Sequence, residues 1–401
     1  MKIGIIGGGA SGVIAAIKAK DKGADVVIFE KEDRILKKLL LTGNGKCNLS
    51  HEGISVSDYH AKNEDDRIKI SKILSGFNDK IRDDLFDHLD LCIVSEDGYI
   101  YPVTHSSAGV VNTFLRELKK RDIQINTGFN VTKIKKSGSG WLIFDNKKEE
   151  YLDRIIISCG GASYVKTGSD GSMIRLLKDM GVKCNDLYPA LTALKGTFFE
   201  NEKLSLILSG LREYGKIYDE DDGLLSCGNI QFTDYGLSGI AVYDISYLYV
   251  TGEKRRLYFS LFNDKDKAYS LLCDCIKDNG MLLPHEAFCG LIHKKWIDFF
   301  LKALDIKSGV KVSDISKDKI RKMAGYLNRL PFDVKGYKGF EHAQVTGGGI
   351  CLSEIMDDMS LRNFPGIYVT GEMLDVFGKC GGYNLHFAFA TGLIAGEAVL
   401  S

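Results

Sequence analysis

The chain opens on short blocks of apolar and polar residues that change period several times. An apolar run over Lys2–Ile6 predicts a buried strand, followed by the turn Gly7-Gly8-Gly9-Ala10-Ser11-Gly12. Val13–Lys22 then predicts a helix, and Asp25–Phe29 a second strand ending on Glu30. Apolar positions three and four apart predict helices over Arg67–Ser75 and Lys80–Leu89. Cys92–Val94 and Tyr99–Tyr101 form an expected β pair turning at Glu96-Asp97-Gly98. Ser107–Lys120 is an expected helix whose Val110, Val111, Phe114, Leu115 and Leu118 make one apolar stripe. β-rich sequence follows at Ile123–Asn126, Asn130–Lys135, Trp141–Asp145 and Tyr151–Ile157, with a hairpin turn at Ser137-Gly138-Ser139-Gly140.

From about Leu187 the pattern changes. Short strands and turns over Leu191–Asn229 give way to helices around Ser238–Tyr247, Asp266–Lys277, Lys294–Leu304 and Lys317–Leu330. We read 191–335 as an inserted domain of mixed β and α content. A strand at Gly366–Thr370 and a long helix at Tyr383–Leu400 then complete the first domain. The expected fold class is α/β: a split Rossmann-like domain, 1–190 and 336–401, around an inserted mixed β/α domain.

Composition narrows this picture without redirecting it. The 401 residues suffice for two domains, and 53 basic residues balance 53 acidic ones. Neutral net charge gives no electrostatic case for nucleic acid or an anionic membrane. The short basic run Lys254-Arg255-Arg256 reads as a solvated strand end. No apolar run of about 18 residues predicts a membrane span, and Met1 leads straight into a strand, so no signal peptide is expected. The ten cysteines contain no CxxC pair, which predicts reduced thiols, a cytoplasmic setting and no metal site.

The first turn carries the chemistry. A GxGxxG preceded by a strand, opening a helix, with an acid 18 residues after Gly12 is the context of a dinucleotide fingerprint. Gly7 permits the tight turn, Gly9 lets a pyrophosphate approach the backbone, and Gly12 lets helix and strand pack closely. Helix N–H groups would receive the phosphates, and Glu30 the adenosine ribose hydroxyls. This unit alone leaves NAD and FAD open. The distant strand ending in Gly371-Glu372, with Asp375 behind it, favours FAD: the glycine would touch pyrophosphate and the acid a ribitol hydroxyl. Gly381-Gly382-Tyr383-Asn384 opens the last helix, whose N–H groups would face the pyrimidine end of the flavin. The loop Thr42–Asn48 offers backbone donors to the ribityl and ring region.

Thr42-Gly-Asn-Gly-Lys-Cys-Asn48 resembles the S/TGxGRCN motif of the BaiN-like (YhiN-like) family, also called aminoacetone-oxidase-family FAD-binding proteins. Glu96-Asp-Gly-Tyr-Ile-Tyr-Pro-Val-Thr104 resembles its DGxxFPxS element. Gly160-Gly-Ala-Ser-Tyr164 with Thr167-Gly-Ser-Asp-Gly171 resembles GGxSYPxTGSTGDG, with Val165 in place of proline. Val345-Thr-Gly-Gly-Gly349 and Gly371-Glu-Met-Leu-Asp-Val376, followed by Gly381-Gly-Tyr-Asn-Leu385, resemble the C-terminal signatures. The resemblance runs through nearly the whole chain. It departs at Lys46 for arginine, at Met359-Ser-Leu-Arg362 for a TMxSK-like stretch, and at His386 for glutamine. The residues expected around FAD are Gly7, Gly9, Ala10, Ser11, Gly12, Glu30, Lys31, Lys38, Thr42, Gly43, Gly45, Cys47, Asn48, Val131, Gly160, Gly161, Gly371, Glu372, Asp375, Gly381, Gly382, Tyr383 and Asn384.

The acid–base candidates are His386 and Tyr101, with His105 and Cys47 behind them. Tyr337, Gln344 and the run Thr346-Gly347-Gly348-Gly349 re-enter the first domain, either near the flavin or as a tight turn. The resemblance implies an FAD-dependent oxidoreductase moving hydride between flavin N5 and a small organic substrate, with NADH or NADPH as transient donor and a C=C bond as target. An oxygen-using amine oxidase and a flavin-binding partner of RNA or protein are the alternatives.

Overall fold

The structure is a computed structural model describing residues 1–252, 255–262 and 264–401. The chain divides into two compact units, Met1–Pro189 with Ala343–Ser401, and Ala190–His342. The return therefore comes at Ala343 rather than 336, because Leu330–Tyr337 is still a strand of the second unit and Lys338 N donates to Ala193 O.

The first unit is built on a parallel sheet in the order Ile367–Val369, Arg154–Ile157, Lys2–Ile6, Asp25–Glu30, Gln124–Thr127. Isoleucines 3, 5, 155, 156 and 157 are fully buried, as expected of strands covered on both faces. Tyr151–Ile157 is two strands rather than one. Glu149–Leu152 joins an antiparallel sheet with Gly140–Phe144 and Lys133–Ser137, and Arg154–Ile157 joins the parallel sheet. Asp153 makes the break: its N–H donates to Lys2 O, and its carboxylate accepts from Lys2 N at 2.6 Å.

The first helix, Ala10–Asp21, packs along the last, Tyr383–Ala398, and both are apolar on most sides, as buried helices are. Gly392 and Gly396 form the contact face. A Cβ on Gly392 would lie 2.3 Å from Ser11 O, and one on Gly396 2.7 Å from Ala15 O. Close backbone approach at these two glycines fixes where the chain's last helix sits against its first turn.

The second unit holds a closed antiparallel barrel of Leu194–Phe198, Gly236–Ser238, Leu224–Phe232, Arg212–Tyr218, Arg256–Ser260 and Leu330–Tyr337. Its own core gathers Phe198, Phe232, Phe259, Trp296, Phe299 and Phe332, nearly all fully buried. In the basic run, Arg256 pairs with Asp333 at 2.6 Å, and Lys254 lies outside the described residues. Among the described residues no helix is long and apolar enough to cross a membrane.

Val345–Ile350 is a fully buried strand, not a turn, paired with Cys184–Ala190. The glycines serve close packing there: a Cβ on Gly347 would lie 2.3 Å from the Tyr188 ring, and one on Gly348 2.1 Å from Asp186 O. Tyr337 lies in the barrel of the other unit.

Candidate functional site

The three glycines of the first turn separate by what surrounds them. Gly7 has φ +99°, and a Cβ there would meet Ser158 O at 2.6 Å. At Gly12 it would meet Gly7 O at 2.2 Å. At Gly9 the nearest atom is Ser158 O at 3.7 Å, which is ordinary contact. The helix from Ala10 carries no acid in its first turn and no side-chain cap, so its N–H groups face outward unpaired by side chains. Glu30 accepts from Gly8 N at 2.8 Å through one oxygen and from Glu32 N at 3.0 Å through the other. Each oxygen keeps a second lone pair.

Gly371, far along the chain, arrives at this turn. A Cβ on it would lie 2.8 Å from Ser11 Oγ, and its N–H donates to Thr391 Oγ1 at 2.9 Å. Glu372 points elsewhere. Its carboxylate takes Lys38 Nζ at 2.6 Å, Ser163 Oγ at 2.7 Å and Thr346 N at 3.0 Å, and Lys38 also donates to Ser163 Oγ at 2.6 Å. Lys38 and Glu372 are thus a half-buried ion pair that binds each other. The reason is electrostatic: two opposite charges of low exposure each neutralise the other's desolvation. The clasp fixes the Gly160–Ser163 loop, where Thr346 Oγ1 accepts from Ala162 N and Ser163 N, and Gly161 lies flush against Thr346. Ser163 and Thr346 each stood in a quoted sequence run, but their pairing with Lys38 and Glu372 is not legible there. Lys31 similarly pairs with Asp170 at 2.8 Å.

The last helix starts from two left-handed glycines, Gly381 at φ +119° and Gly382 at φ +96°, with no side-chain cap. Gly382 lies against Ser50 O and Asn48 Oδ1, and that amide oxygen is buried without a hydrogen-bond partner among the described residues. Gly381 lies against the Tyr99 ring. Tyr383 stacks on His51, with ring centroids 5.1 Å apart and planes 14° from parallel, and stands edge-on to Tyr59. The Asn384 side chain clips Gly378 N, Gly378 O and Lys379 O, closing its own loop.

The remaining expected contacts are dispersed. In the Thr42–Asn48 loop, Thr42 Oγ1 donates to Leu39 O, Gly43 and Gly45 stay exposed, and Cys47 is fully buried. Burial pushes the Cys47 thiol up to about 11, so it is no thiolate nucleophile. Val131 is a buried core residue. Asp375 binds Lys62 Nζ and Asn185 Nδ2, both at 2.6 Å, and lines a cavity of about 630 Å³ with Lys183, Cys351 and Arg362.

Of the acid–base candidates, His386 is withdrawn. The ring is 2% exposed, its Nδ1 meets Ser50 Oγ at 2.8 Å, and it packs on Phe77. Burial, and then the Arg82 guanidinium, lower its pKa to about 4. Tyr101 is half-buried against the His105 ring, 5.4 Å between centroids, and His105 pairs with Glu96 at 3.1 Å. Burial, then Tyr99 and Glu96, raise the phenol's pKa. Among the described residues no cluster of three or more metal-ligating side chains occurs.

Residues 1–398 match the family model described as HI0933-like protein Rossmann domain. The chain is 33% identical to a 3-dehydro-bile acid delta(4,6)-reductase of Clostridium scindens, over 99% of this chain and 98% of that one. It is 22% identical to a ribosomal RNA dihydrouridine synthase of Haemophilus influenzae, over 96% of this chain and 95% of that one. In fold it is similar to a 3-ketosteroid-delta4-(5alpha)-dehydrogenase from Rhodococcus jostii, with a TM-score of 0.53 at 12% identity over 100% of this chain and 96% of that one. The chain belongs to the HI0933-like Rossmann family, the BaiN-like FAD-dependent oxidoreductases to which its motifs pointed.

Proposed function

We propose that the protein binds FAD in the unit formed by Met1–Pro189 and Ala343–Ser401 and reduces a conjugated C=C bond of a small organic substrate, with NADH or NADPH as transient donor. The observation that carries this reading is the meeting of Gly371 with Ser11, which joins the first turn to the segment leading into the last helix. Two uncapped helix N-termini belong to this one unit, and the residues around them fit the dinucleotide. Gly9 leaves room where a pyrophosphate would approach, while Gly7 and Gly12 are filled by protein. Asn48 Oδ1, buried and unpartnered beside Gly382, is an acceptor awaiting an N–H such as that of the flavin pyrimidine. When bound, FAD supplies N5 as hydride donor and acceptor. The chain's own part is to orient it: the Lys38–Glu372 clasp holds the Gly160–Ser163 loop, and the Tyr383 helix terminus favours negative charge at the ring's pyrimidine end.

The names of the relatives support the substrate class. A bile-acid delta(4,6)-reductase and a dihydrouridine synthase both add hydrogen across a C=C bond conjugated to a carbonyl. The test is anaerobic reduction of the bound flavin by NADH and by NADPH, followed by reoxidation with steroid dienones, simple enones or oxygen. Reduction by a nicotinamide and fast reoxidation by an enone are expected. Peroxide release with amines, and no reduction by either nucleotide, would instead establish an amine oxidase.

The dihydrouridine synthase relatives favour a second reading, in which the C=C bond is that of a uracil in RNA. Neutral net charge counts against general RNA affinity. Dihydrouridine appearing in ribosomal RNA on incubation with reduced enzyme decides for it. The cysteines form no disulfide among the described residues, which supports a reducing, cytoplasmic setting.

A further inference from the structure

His51 stands three residues beyond the loop that carries the family motif, on the short strand Ser50–His51 that pairs with Tyr99–Pro102. Its imidazole is stacked on Tyr383 and set edge-on to Tyr99, with ring centroids 5.0 Å apart. Those two tyrosines flank the glycine turn of the last helix: Tyr383 follows Gly382, and Tyr99 lies against Gly381. The ring also rests on Gly98, where a Cβ would come within 2.7 Å of His51 Cε1. Nδ1 lies 2.7 Å from Glu52 O, a carbonyl that can only accept, so Nδ1 carries the proton and Nε2 presents its lone pair. Nε2 has no hydrogen-bond partner among the described residues. His386 is buried against Phe77 and Ser50, and His105 is tied to Glu96. His51 is the half-exposed imidazole of fixed tautomer beside this turn.

We propose that His51 is the acid–base group that exchanges the substrate proton, resting on the reading of the protein as an enone-reducing flavoenzyme. In the step, the C=C bond gains a hydride at its β carbon, supplied by the reduced cofactor, and a proton at its α carbon from Nε2 of the His51 imidazolium. Two electrons and two hydrogens convert C=C to CH–CH, and the neutral imidazole recovers its proton from solvent. A nicotinamide, or dithionite in the test, restores the reduced cofactor. The titratable groups around the ring are Tyr99, Tyr383 and the adjacent Glu52. The Arg82 guanidinium binds His51 O at 3.2 Å and is itself held by Asp79.

The test uses full-length protein loaded with FAD and reduced anaerobically by dithionite, mixed with a steroid enone across pH 5.5 to 9. Wild type is compared with H51Q, and with H51F, which keeps the ring stack and loses the proton. Both variants should retain bound flavin and its reoxidation by oxygen, while enone reoxidation falls about 10²-fold. A long-range proton–nitrogen NMR spectrum gives an independent readout: the imidazole signals missing from H51Q should move when FAD or enone is added. H51F reacting with enone at the wild-type rate and pH profile overturns the proposal, and so do His51 signals that stay fixed. A wild-type enzyme that binds FAD but is not reoxidised by any enone overturns the underlying functional reading, and the acid role with it.

Discussion

The Cys47 thiol sits in the most recognisable loop of the chain, yet it has no solvent exposure and its pKa rises to about 11. A thiol kept protonated and covered does not react. At pH 8 Ellman's reagent should modify the exposed Cys92, Cys227 and Cys289 quickly, and Cys47 only after unfolding. Rapid native labelling of Cys47, located by peptide mass, would contradict that burial. His386 is governed by the same physics with a stability consequence. Its folded pKa, about 4, lies below the ordinary imidazole value of about 6.5. The unfolded chain therefore binds a proton that the folded one refuses, and stability falls as pH drops from about 6.5 to about 4, then levels off at a loss of roughly 3 kcal/mol. H386Q should remove that acid-side loss. Urea denaturation at pH 4.5 and pH 7.5 measures it, and an unchanged difference between the two pH values would sink the account.

At the scale of elements, the glycine turn makes two separable demands. Ala at Gly9 meets only ordinary contact with Ser158 O at 3.7 Å, so G9A should melt within about 1 °C of wild type without cofactor and yet bind FAD far more weakly, its methyl standing where the pyrophosphate would come. Ala at Gly12 would press on Gly7 O at 2.2 Å, so G12A should lose about 1–3 kcal/mol or more before any cofactor is added. Thermal melts of the apoproteins beside FAD titration distinguish the two. The strand–turn–helix unit was legible because one short segment contains the whole pattern. The Lys38–Glu372 clasp was not, because its partners are 334 residues apart and nothing local marks which charge a lysine will meet. His51 escaped notice for the same reason: its significance comes from Tyr99 and Tyr383, which only strand pairing and helix packing bring beside it.

At the scale of the whole molecule, the expected FAD contacts all fall in the first unit, while the second closes a barrel around its own aromatic core. A closed barrel leaves no free sheet edge, so the segment 190–342 expressed alone should fold and unfold cooperatively without binding FAD. In the intact protein, FAD at a hundredfold its dissociation constant should stabilise the first unit by about 2.7 kcal/mol and leave the barrel's transition in place. Scanning calorimetry with and without FAD reads both; a barrel transition that shifts with FAD would refute the assignment of all cofactor contacts to one unit.

The sequence by itself determined the α/β class, the glycine turn, the return of the chain to its first domain and the family. Each of these is written in periodicity or in a contiguous motif, where neighbours in sequence are neighbours in space. Tertiary structure decided which polar groups are spent on one another and which stay available. It retired His386 to the core, bound Lys38 to Glu372, turned the Thr346–Gly349 run into a buried strand, and left Asn48 Oδ1 without a partner and His51 half-exposed at the head of the last helix. Burial and long-range pairing depend on which surfaces meet, and no local pattern records that.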